Sequence, residues 1–287
     1  MDGLLQGTLD IAALERLLET RVIGCGDRLF YLPTVDSTNT LAMQLAQTRP
    51  DEGLVVLTDS QKAGKGRQGH RWVDAPGCNV LSSIVLRPMF PPHLLVMVAS
   101  LAVVRAIAQS CGVTATIKWP NDVLIEEHKV AGILIETSHD LKGSLVAVVG
   151  IGVNVNGRMD ELAHQLTESA SLIANATSLE SACGHPVSRE ELIACLLGSI
   201  EGDYLLLQQE VTGDRAAAPD QVLPSRLIRE RWRDQLSTLG RTIQVRQGES
   251  LISGVAEDVD GNGELLLRRH SGELVNITWG SIEYPSR

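Results

Sequence analysis

The sequence is poor in aromatic residues, in paired cysteines and in clustered histidines. Aromatic residues make up 3% of its 287 residues, so aliphatic side chains must fill the core, and a nucleic-acid surface built on base stacking is not expected. The five cysteines, at positions 25, 78, 111, 183 and 195, are odd in number and never spaced as C-x-x-C. No H-E-x-x-H motif is present. A disulfide framework and a structural zinc site are therefore not expected either.

An export signal, a membrane span and an excess of positive charge are missing as well. No basic segment precedes an apolar run at the N-terminus, as an ordinary secretory signal requires. The longest apolar run, Leu94 to Val104, is too short to span a bilayer and is typical of a buried helix. The formal net charge is −10, whereas a duplex-binding domain normally carries a basic face. These absences predict a cytoplasmic protein that binds neither membranes nor nucleic acid.

What the sequence does contain is a long mixed region followed by a short region rich in strands. Apolar periodicity and turn residues predict helices at Ile11–Thr20, Leu41–Ala46, His93–Ser110, Ser188–Gln209 and Ser225–Leu236. They predict strands at Leu54–Thr58, Asn79–Leu86, Thr114–Trp119, Val123–Glu126, Val130–Thr137 and Ser144–Val155. The segment Val211–Pro219 is predicted to be a surface connection.

The residue pattern changes after Gly240, from long apolar runs to short alternating segments. Short alternating segments there predict a meander of small strands at Thr242–Val245, Leu251–Glu257, Glu264–Arg269 and Leu274–Thr278. We therefore predict an α+β fold, with a mixed α+β domain at 1–237 and a small all-β domain, a little barrel, at 238–287.

The segment GKGRQGHRW, from Gly64 to Trp72, is the strongest functional signal. It holds three glycines and three permanent positive charges in nine residues of an acidic protein. Glycines free backbone N–H groups to face an anion, and arginine offers a two-pronged donor to a carboxylate or phosphate. The segment has neither the spacing of a Walker A loop nor the helix that follows a Rossmann fingerprint. It predicts a site for a ligand with phosphate and aromatic parts, with a solvated loop as the alternative.

Four shorter segments carry weaker signals, each with a structural alternative. KWPND, residues 118–122, either holds polar groups at a sheet edge or simply closes a hairpin. The glycine in KVAGILIE, residues 129–136, marks either the close approach of a ligand or of another backbone segment, or a β-bulge. The glycines in GIGVN, residues 150–154, leave room either for a flat ligand or for a packed helix, and Asn154 offers a donor and an acceptor. DSTN, residues 36–39, predicts a helix N-cap whose side chains can also reach a ligand.

Five segments, taken in their order along the chain, resemble the biotin–protein ligase family: VDSTN, QKAGKGRQGHRW, KWPND, KVAGILIE and GIGVN. The similarity covers about residues 29 to 155. It continues more weakly near the C-terminus, at Gly254, Asp258, Gly261, Gly263 and Leu265 to Leu267. The resemblance implies a mixed β-sheet flanked by helices, of the class II synthetase-like and lipoyl-ligase-like kind, and a small C-terminal SH3-like barrel.

The resemblance also implies a two-step reaction. The carboxylate of biotin attacks the α-phosphate of ATP in the presence of Mg²⁺, giving biotinyl-5′-AMP and pyrophosphate. A lysine of a biotin carboxyl carrier protein then takes the acyl group. Arg67 and Lys129 are the implied catalytic residues, which hold the two anions together. Asp122 is implied either to orient Lys129 or to contact Mg²⁺, and a homodimer is left open.

The remaining implied site residues divide between the two ligands. The implied biotin contacts are Ser37, Thr38, Asn39, Gln61, Gly64, Lys65, Arg67, Lys129, Gly132, Leu134 and Gly150. The implied ATP or adenylate contacts are Arg67, Arg71, Trp72, Asn121, Asp122, Lys129 and Asn154.

Two departures from the family pattern modify these expectations. Position 65 is lysine where many members carry arginine, so only a backbone contact is expected there. Only 35 residues precede Asp36, and the one short helix expected among them cannot form the winged helix-turn-helix of members that repress transcription. Operator binding is therefore not expected. The nearest rival function is a lipoate ligase or octanoyltransferase, whose dithiolane substrate needs no hydrogen-bond partners of the kind a ureido ring requires.

Overall fold

The computed structural model describes residues 7–157, 175–213 and 222–284. In chain order the helices are α1 (Ile11–Leu17), α2 (Thr38–Thr48), α3 (Leu94–Cys111), α4 (Leu179–Cys183), α5 (Arg189–Thr212) and α6 (Pro224–Asp234). The strands are β1 (Leu29–Val35), β2 (Leu54–Gln61), β3 (Asn79–Leu86), β4 (Thr116–Lys118), β5 (Asp122–Ile125), β6 (His128–His139), β7 (Leu145–Asn154), β8 (Thr242–Gln247), β9 (Ser250–Val259), β10 (Leu265–Arg268), β11 (Leu274–Ile277) and β12 (Ser281–Glu283).

A seven-stranded mixed sheet forms the larger part of the protein. Its strand order is β1-β2-β3-β7-β6-β5-β4, with β1 parallel to β2 and every other pair antiparallel. The central strands β3 and β7 consist almost entirely of apolar and small residues, and every residue of β3 is buried. Helices on both faces of the sheet account for this burial.

The two faces of the sheet are covered unequally. Helices α3 and α5 pack together over one face and supply much of the main core. Helix α2 covers only part of the other face, where Ala42 and Ala46 pack with Val148 in a small separate cluster. Side chains alternate along a strand, so the next residues of β7 on that face are Gly150 and Gly152. The face is therefore open beyond the N-terminus of α2, and the candidate site lies there.

Helix α3 is the apolar segment predicted to be a buried helix. It ends at Gly112, which adopts a left-handed conformation with φ of 65° and closes the last turn. By length and composition alone it is apolar enough to cross a membrane, but 61% of it is buried inside the protein. Its packing is that of a core helix.

Strands β8 to β12 form a second, antiparallel sheet in the order β11-β10-β9-β8-β12. The hairpin between β9 and β10 packs against helix α3, because a Cβ at Gly263 would lie 2.4 Å from Met97 Cε. The carbonyl of Gly263 accepts a hydrogen bond from Trp119 Nε1 at 2.9 Å. Arg233 of α6 also forms a salt bridge with Asp258 of β9. The small sheet therefore supports the KWPND turn from behind.

Several predicted boundaries were wrong by two or three residues. Helix α1 ends at Leu17 rather than Thr20, since the chain beyond it becomes extended. The backbone N–H groups of residues 21–23 then donate to the carboxylate of Glu201 on α5, a set of bonds that only tertiary packing can supply.

The predicted surface connection after α5 begins later than expected. Residues 211 and 212 belong to the helix, which ends at Gly213 with φ of 71°; residues 214–219 lie outside the described residues. Strands β1 and β12 and helix α4 were not predicted. The division of the chain into domains at residue 237 stays a prediction.

Candidate active site

The candidate site begins with glycines that remove side chains from the open face of the sheet. Gly132 of β6 and Gly152 of β7 are direct partners across the two strands. The indole ring of Trp72 lies on this floor, since a Cβ at Gly152 would be 2.6 Å from the ring and one at Gly132 would be 3.1 Å from it. A β-bulge at Gly132 would shift the strand register there, but the register shift between β5 and β6 falls between residues 129 and 131. Gly132 is therefore explained by a close approach rather than by a β-bulge.

Replacing Gly152 with alanine is expected to displace Trp72, because a methyl group cannot stay 2.6 Å from a ring carbon. Overpacking of this kind costs about 1–3 kcal/mol, which urea denaturation would detect as a lower free energy of unfolding. Gly198→Ala is the matched control. An added Cβ at Gly198, in α5, meets nothing within 4 Å, and alanine is the better helix former. Equal stability of the two variants would contradict the ring placement.

The N-terminus of α2 supplies polar groups at one end of the floor. The Gln61 side-chain oxygen accepts a hydrogen bond from the Thr38 backbone N–H at 2.8 Å. Ser83 Oγ donates to Asn39 Oδ1 at 2.6 Å. The Asn39 amide lies directly over Gly150, where a Cβ would come within 2.1 Å of that same oxygen. The Asn39 amide can therefore occupy this position only because residue 150 has no side chain.

Ser37 occupies the N-cap position of α2, as predicted, but its side chain does not cap the helix. Among the described residues its buried Oγ has no hydrogen-bond partner. A buried hydroxyl left in this state costs about 1–3 kcal/mol, so it is suited to a ligand. Ser37 lines a cavity of about 60 Å³ that extends to Arg67 and Lys129.

Residues 62–72, which we call the flap, fold into a narrow hairpin beside this cavity. The Trp72 N–H donates to the Gly64 carbonyl at 3.0 Å, and the Gly66 N–H donates to the His70 carbonyl at 2.7 Å. A Cβ on Gly64 would lie 2.5 Å from the Trp72 carbonyl oxygen. The hairpin therefore requires glycine at position 64 at least. A loop that only faced solvent would not need a glycine there.

Lys118, Lys129 and Arg67 form a cationic cluster near Trp72. Lys129 Nζ forms a 2.6 Å salt bridge with Asp122 and lies 5.7 Å from the centre of the Trp72 ring. Burial lowers the pKa of Lys118, while the nearby Asp122 carboxylate opposes that shift. These residues and Arg67 line a cavity of about 270 Å³, whose charge suits an anion.

Arg67 connects these spaces. Its Nη1 donates to Asn121 Oδ1 at 3.0 Å, and Asn121 is itself held by a 2.7 Å hydrogen bond from its Nδ2 to the Ile133 carbonyl. Burial lowers the pKa of Arg67, and the Asp122 carboxylate opposes this shift. Arg67 lines the cavities of about 60 and 270 Å³ and two more of about 420 and 800 Å³. It therefore lies where all four meet.

The structure brings the predicted site residues together. The following line the cavity of about 60 Å³: Ser37, Thr38, Asn39, Gln61, Lys65, Arg67, Trp72, Asn121, Lys129, Gly132, Leu134 and Gly150. Arg71, Asp122 and Asn154 line the cavity of about 270 Å³, and Gly64 lines the groove of about 800 Å³. The Asn154 amide donates to the Thr177 carbonyl at 3.1 Å, and Arg71 donates to the Lys62 carbonyl at 3.0 Å. Their individual roles toward ligands stay predictions.

Sequence reasoning missed several neighbours of these residues. Glu136 bonds to Asn39 and to Lys65, and Lys118 joins the cationic cluster. Residues 280–282 of the small sheet close one wall of the cavity of about 270 Å³. The alternation of Gly132, Leu134 and Glu136 along β6 would have placed Glu136 on the site face. Nothing in the sequence shows that residues 280–282 reach the site.

The described residues do not form a dedicated metal-binding site. Within residues 7–157, 175–213 and 222–284, no group of three or more His, Cys, Asp or Glu side chains is placed to hold a metal ion. The carboxylate in the wall of the cavity of about 270 Å³ is Asp122, which is already paired with Lys129. Mg²⁺ prefers near-octahedral oxygen ligands and commonly takes them from substrate phosphates and water. Asp122 can supply one such ligand at most.

Comparison with known families first defines the class of protein. Residues 31–156 match the biotin/lipoate A/B protein ligase family, and residues 238–284 match the biotin protein ligase C-terminal domain. Over 89% of its length the chain also superposes on 97% of the Aquifex aeolicus biotin protein ligase solved in complex with biotin and ATP, with a TM-score of 0.70 and 26% identity. The chain is thus a protein ligase of the biotin/lipoate class.

Curated relatives narrow this class to one family. The chain is 34% identical to the biotin--[acetyl-CoA-carboxylase] ligase of Paracoccus denitrificans, over 85% of this chain and 95% of that protein. It is 31% identical to the bifunctional ligase/repressor BirA of Bacillus subtilis, over 93% of this chain and 76% of that protein. The chain belongs to the biotin protein ligase family and is an enzyme. The family and the α+β fold predicted from the sequence are both confirmed.

Proposed function

We propose that the chain forms biotinyl-5′-AMP from biotin and ATP and then transfers biotin to a lysine of a biotin carboxyl carrier protein. The observation that carries this proposal is the junction of two unlike spaces. The cavity of about 60 Å³, which we call the slot, has polar groups at one end. It meets the larger cationic cavity of about 270 Å³ at Arg67 and Lys129. The polar end of the first space matches a carboxylic acid with a polar head, and the cationic lining of the second matches a nucleotide triphosphate.

Biotin would place its ureido ring at the N-terminus of α2. The Ser37 hydroxyl, which has no partner in the part of the chain that the structure describes, and the groups of Thr38 and Gln61 offer both donors and acceptors there. The ring and tail would then lie along Leu134, beside the Trp72 ring that covers the glycine floor. A lipoate dithiolane would leave the Ser37 hydroxyl unpaired and would offer no hydrogen bonds to Thr38 or Gln61, which a site of this kind penalises. The polar end of the slot therefore favours biotin.

ATP would occupy the cavity of about 270 Å³. Trp72, Arg71 and Asn154 stand in its wall and would face the adenosine part, while Lys118 would lie near the phosphates. Mg²⁺ would arrive with the phosphates and neutralise part of their charge, with Asp122 as the one protein ligand we assign to it.

In the first step, a carboxylate oxygen of biotin attacks the α-phosphorus, and the bond to pyrophosphate breaks. Two unit charges about 4 Å apart interact by about 4 kcal/mol at an effective dielectric constant near 20. Arg67 and Lys129 would offset this repulsion and the charge that grows on the α-phosphate. Their positions in the folded protein mean that little reorganisation is needed during the reaction.

In the second step, the neutral amine of the acceptor lysine attacks the acyl carbon, and AMP leaves. The groove of about 800 Å³ runs along the flap and β6 and reaches Arg67, so it offers the acceptor lysine a path to the acyl group. The P. denitrificans relative is named for acetyl-CoA carboxylase as its acceptor, which supports a biotin-accepting carboxylase subunit as the partner here. We also propose a cytoplasmic enzyme without repressor activity, which the net charge of −10 favours.

The proposal is tested by incubating the protein with labelled biotin and a biotin carboxyl carrier domain, with and without ATP. We expect label on the carrier only when ATP is present, and none on a carrier whose acceptor lysine is replaced by arginine. A thermal-shift series with biotin and with lipoate completes the test. A rise in the melting temperature with lipoate but not with biotin would reverse the choice of substrate.

A further inference from the structure

Glu136 is an acidic residue at the edge of the proposed biotin slot that the reaction itself does not require. It lies on β6 on the same face as Gly132 and Leu134 and is the direct partner of Val148 on β7. Val148 is buried under α2, so an apolar residue would be the ordinary choice beside it. The carboxylate instead makes two polar contacts, one on each side of the slot.

The first contact is with the flap. Lys65 Nζ lies 3.2 Å from Glu136 Oε1, with side-chain exposures of 44% and 34%. The flap also bonds to the sheet through Arg67 and Asn121. The ion pair is therefore a further tie, placed nearer the start of the flap than Arg67.

The second contact is with the polar end of the slot. Glu136 Oε2 accepts a hydrogen bond from Asn39 Nδ2 at 2.8 Å, and this fixes which way the Asn39 amide faces. The amide oxygen then accepts from Ser83 Oγ at 2.6 Å, and the same Oγ is 2.8 Å from Thr38 Oγ1. One carboxylate thus joins the flap to the groups proposed to bind the ureido ring.

We propose that Glu136 is a positioning residue that latches the flap closed through Lys65 and couples this closure to the orientation of Asn39. For its effect on biotin the inference rests on the proposed function; for its effect on the flap it does not. A partly exposed ion pair is worth at most about 1 kcal/mol, which at about 1.4 kcal/mol per tenfold is about a fivefold change in the closing equilibrium.

The latch is tested first without any ligand, by hydrogen exchange of the peptide covering residues 62–72. Glu136→Gln removes the charge but keeps an oxygen that can accept from Asn39, and Lys65→Met removes the exposed partner without touching the core. We expect each variant to raise exchange by about three- to fivefold. The double variant should exchange no faster than either single variant, because both break the same contact.

Two controls define the outcome of this test. Lys62→Met removes a flap charge that has no part in the latch and should leave exchange unchanged, and Lys65→Arg should keep exchange near that of the original protein. Unchanged exchange in both single variants, or independent effects that add in the double variant, would overturn the latch.

The coupling to biotin is tested by its dissociation rate from the protein in the absence of ATP. We expect the rate to rise by about three- to fivefold in both single variants and by no more in the double variant. A rise in Glu136→Gln alone would show that Glu136 affects biotin without Lys65 and would refute the coupling to the flap. If the original protein bound no biotin at all, the proposed function would fail, while the exchange result would still decide the latch.

Discussion

Replacing Lys129 with alanine is expected to slow adenylate formation by about 10²- to 10³-fold, the usual loss when one preorganised donor is removed from a developing negative charge. Lys129 lines both the slot and the cationic cavity. In the protein without ligands its charge is balanced by Asp122. An incoming carboxylate and phosphate would share that charge, so its loss should raise the barrier of the first step.

The loss should be kinetic rather than structural. The backbone N–H of Lys129 donates to the Asn175 carbonyl at 2.8 Å, and its carbonyl accepts from the Thr177 N–H at 2.9 Å. Neither bond depends on the side chain. The melting temperature of Lys129→Ala should therefore stay close to that of the original protein.

Pyrophosphate release in a single turnover, with biotin and ATP saturating and no acceptor present, measures this step directly. Lys142→Ala is the matched control, because Lys142 is an exposed lysine in the turn after β6. A rate for Lys129→Ala within threefold of the control would remove Lys129 from the role proposed for it.

Replacing Arg67 with alanine should reduce the same rate by about 10²- to 10³-fold. The guanidinium is partly withdrawn from water, and its hydrogen bond to Asn121 holds it at the point where the cavities meet. Arg67→Lys keeps the positive charge but lacks the two-pronged donor, so we expect about a tenfold loss for that variant. The difference between the two variants separates charge from geometry.

The control for Arg67 is Arg269→Ala, an exposed arginine of the small sheet that pairs with Glu273 at the surface. Surface pairs of this kind contribute little, and neither stability nor rate should change. If Arg67→Ala weakened biotin binding but left single-turnover pyrophosphate release intact at saturation, Arg67 would be a binding residue only.

Much of the larger sheet and its helices was predictable from local patterns. The apolar runs that became β3, α3 and β7 are long and bounded by turn residues, so their boundaries were predicted to within one residue at each end. Strand β1 was missed because Pro33 interrupts its sequence. Proline is tolerated on an edge strand, and β1 is the edge beside β2. Strand β12 is only three residues long and exists through its pairing with β8, which lies far away in sequence.

The site was predictable where a motif carried it and not where contacts crossed between motifs. Arg67 and Lys129 stand in segments whose glycines and charges are unusual in themselves. Glu136 and Ser83 stand in ordinary strand sequences, and their part in the site follows only from the register of β6, β7 and β3. Lys118 lies near the end of a predicted strand, but its contact with the Tyr284 ring depends on residues that follow β12.

By itself the sequence determined the class of fold, the basic glycine-rich flap, and the glycines that leave one face of the sheet bare, because each of these depends on neighbouring residues and on backbone freedom. Only the tertiary structure decided that Trp72 lies on that bare face, that Arg67 stands where four cavities meet, and that Glu136 joins the flap to α2. These contacts connect residues tens of positions apart. Their distances follow from strand register and helix packing, which no local pattern encodes.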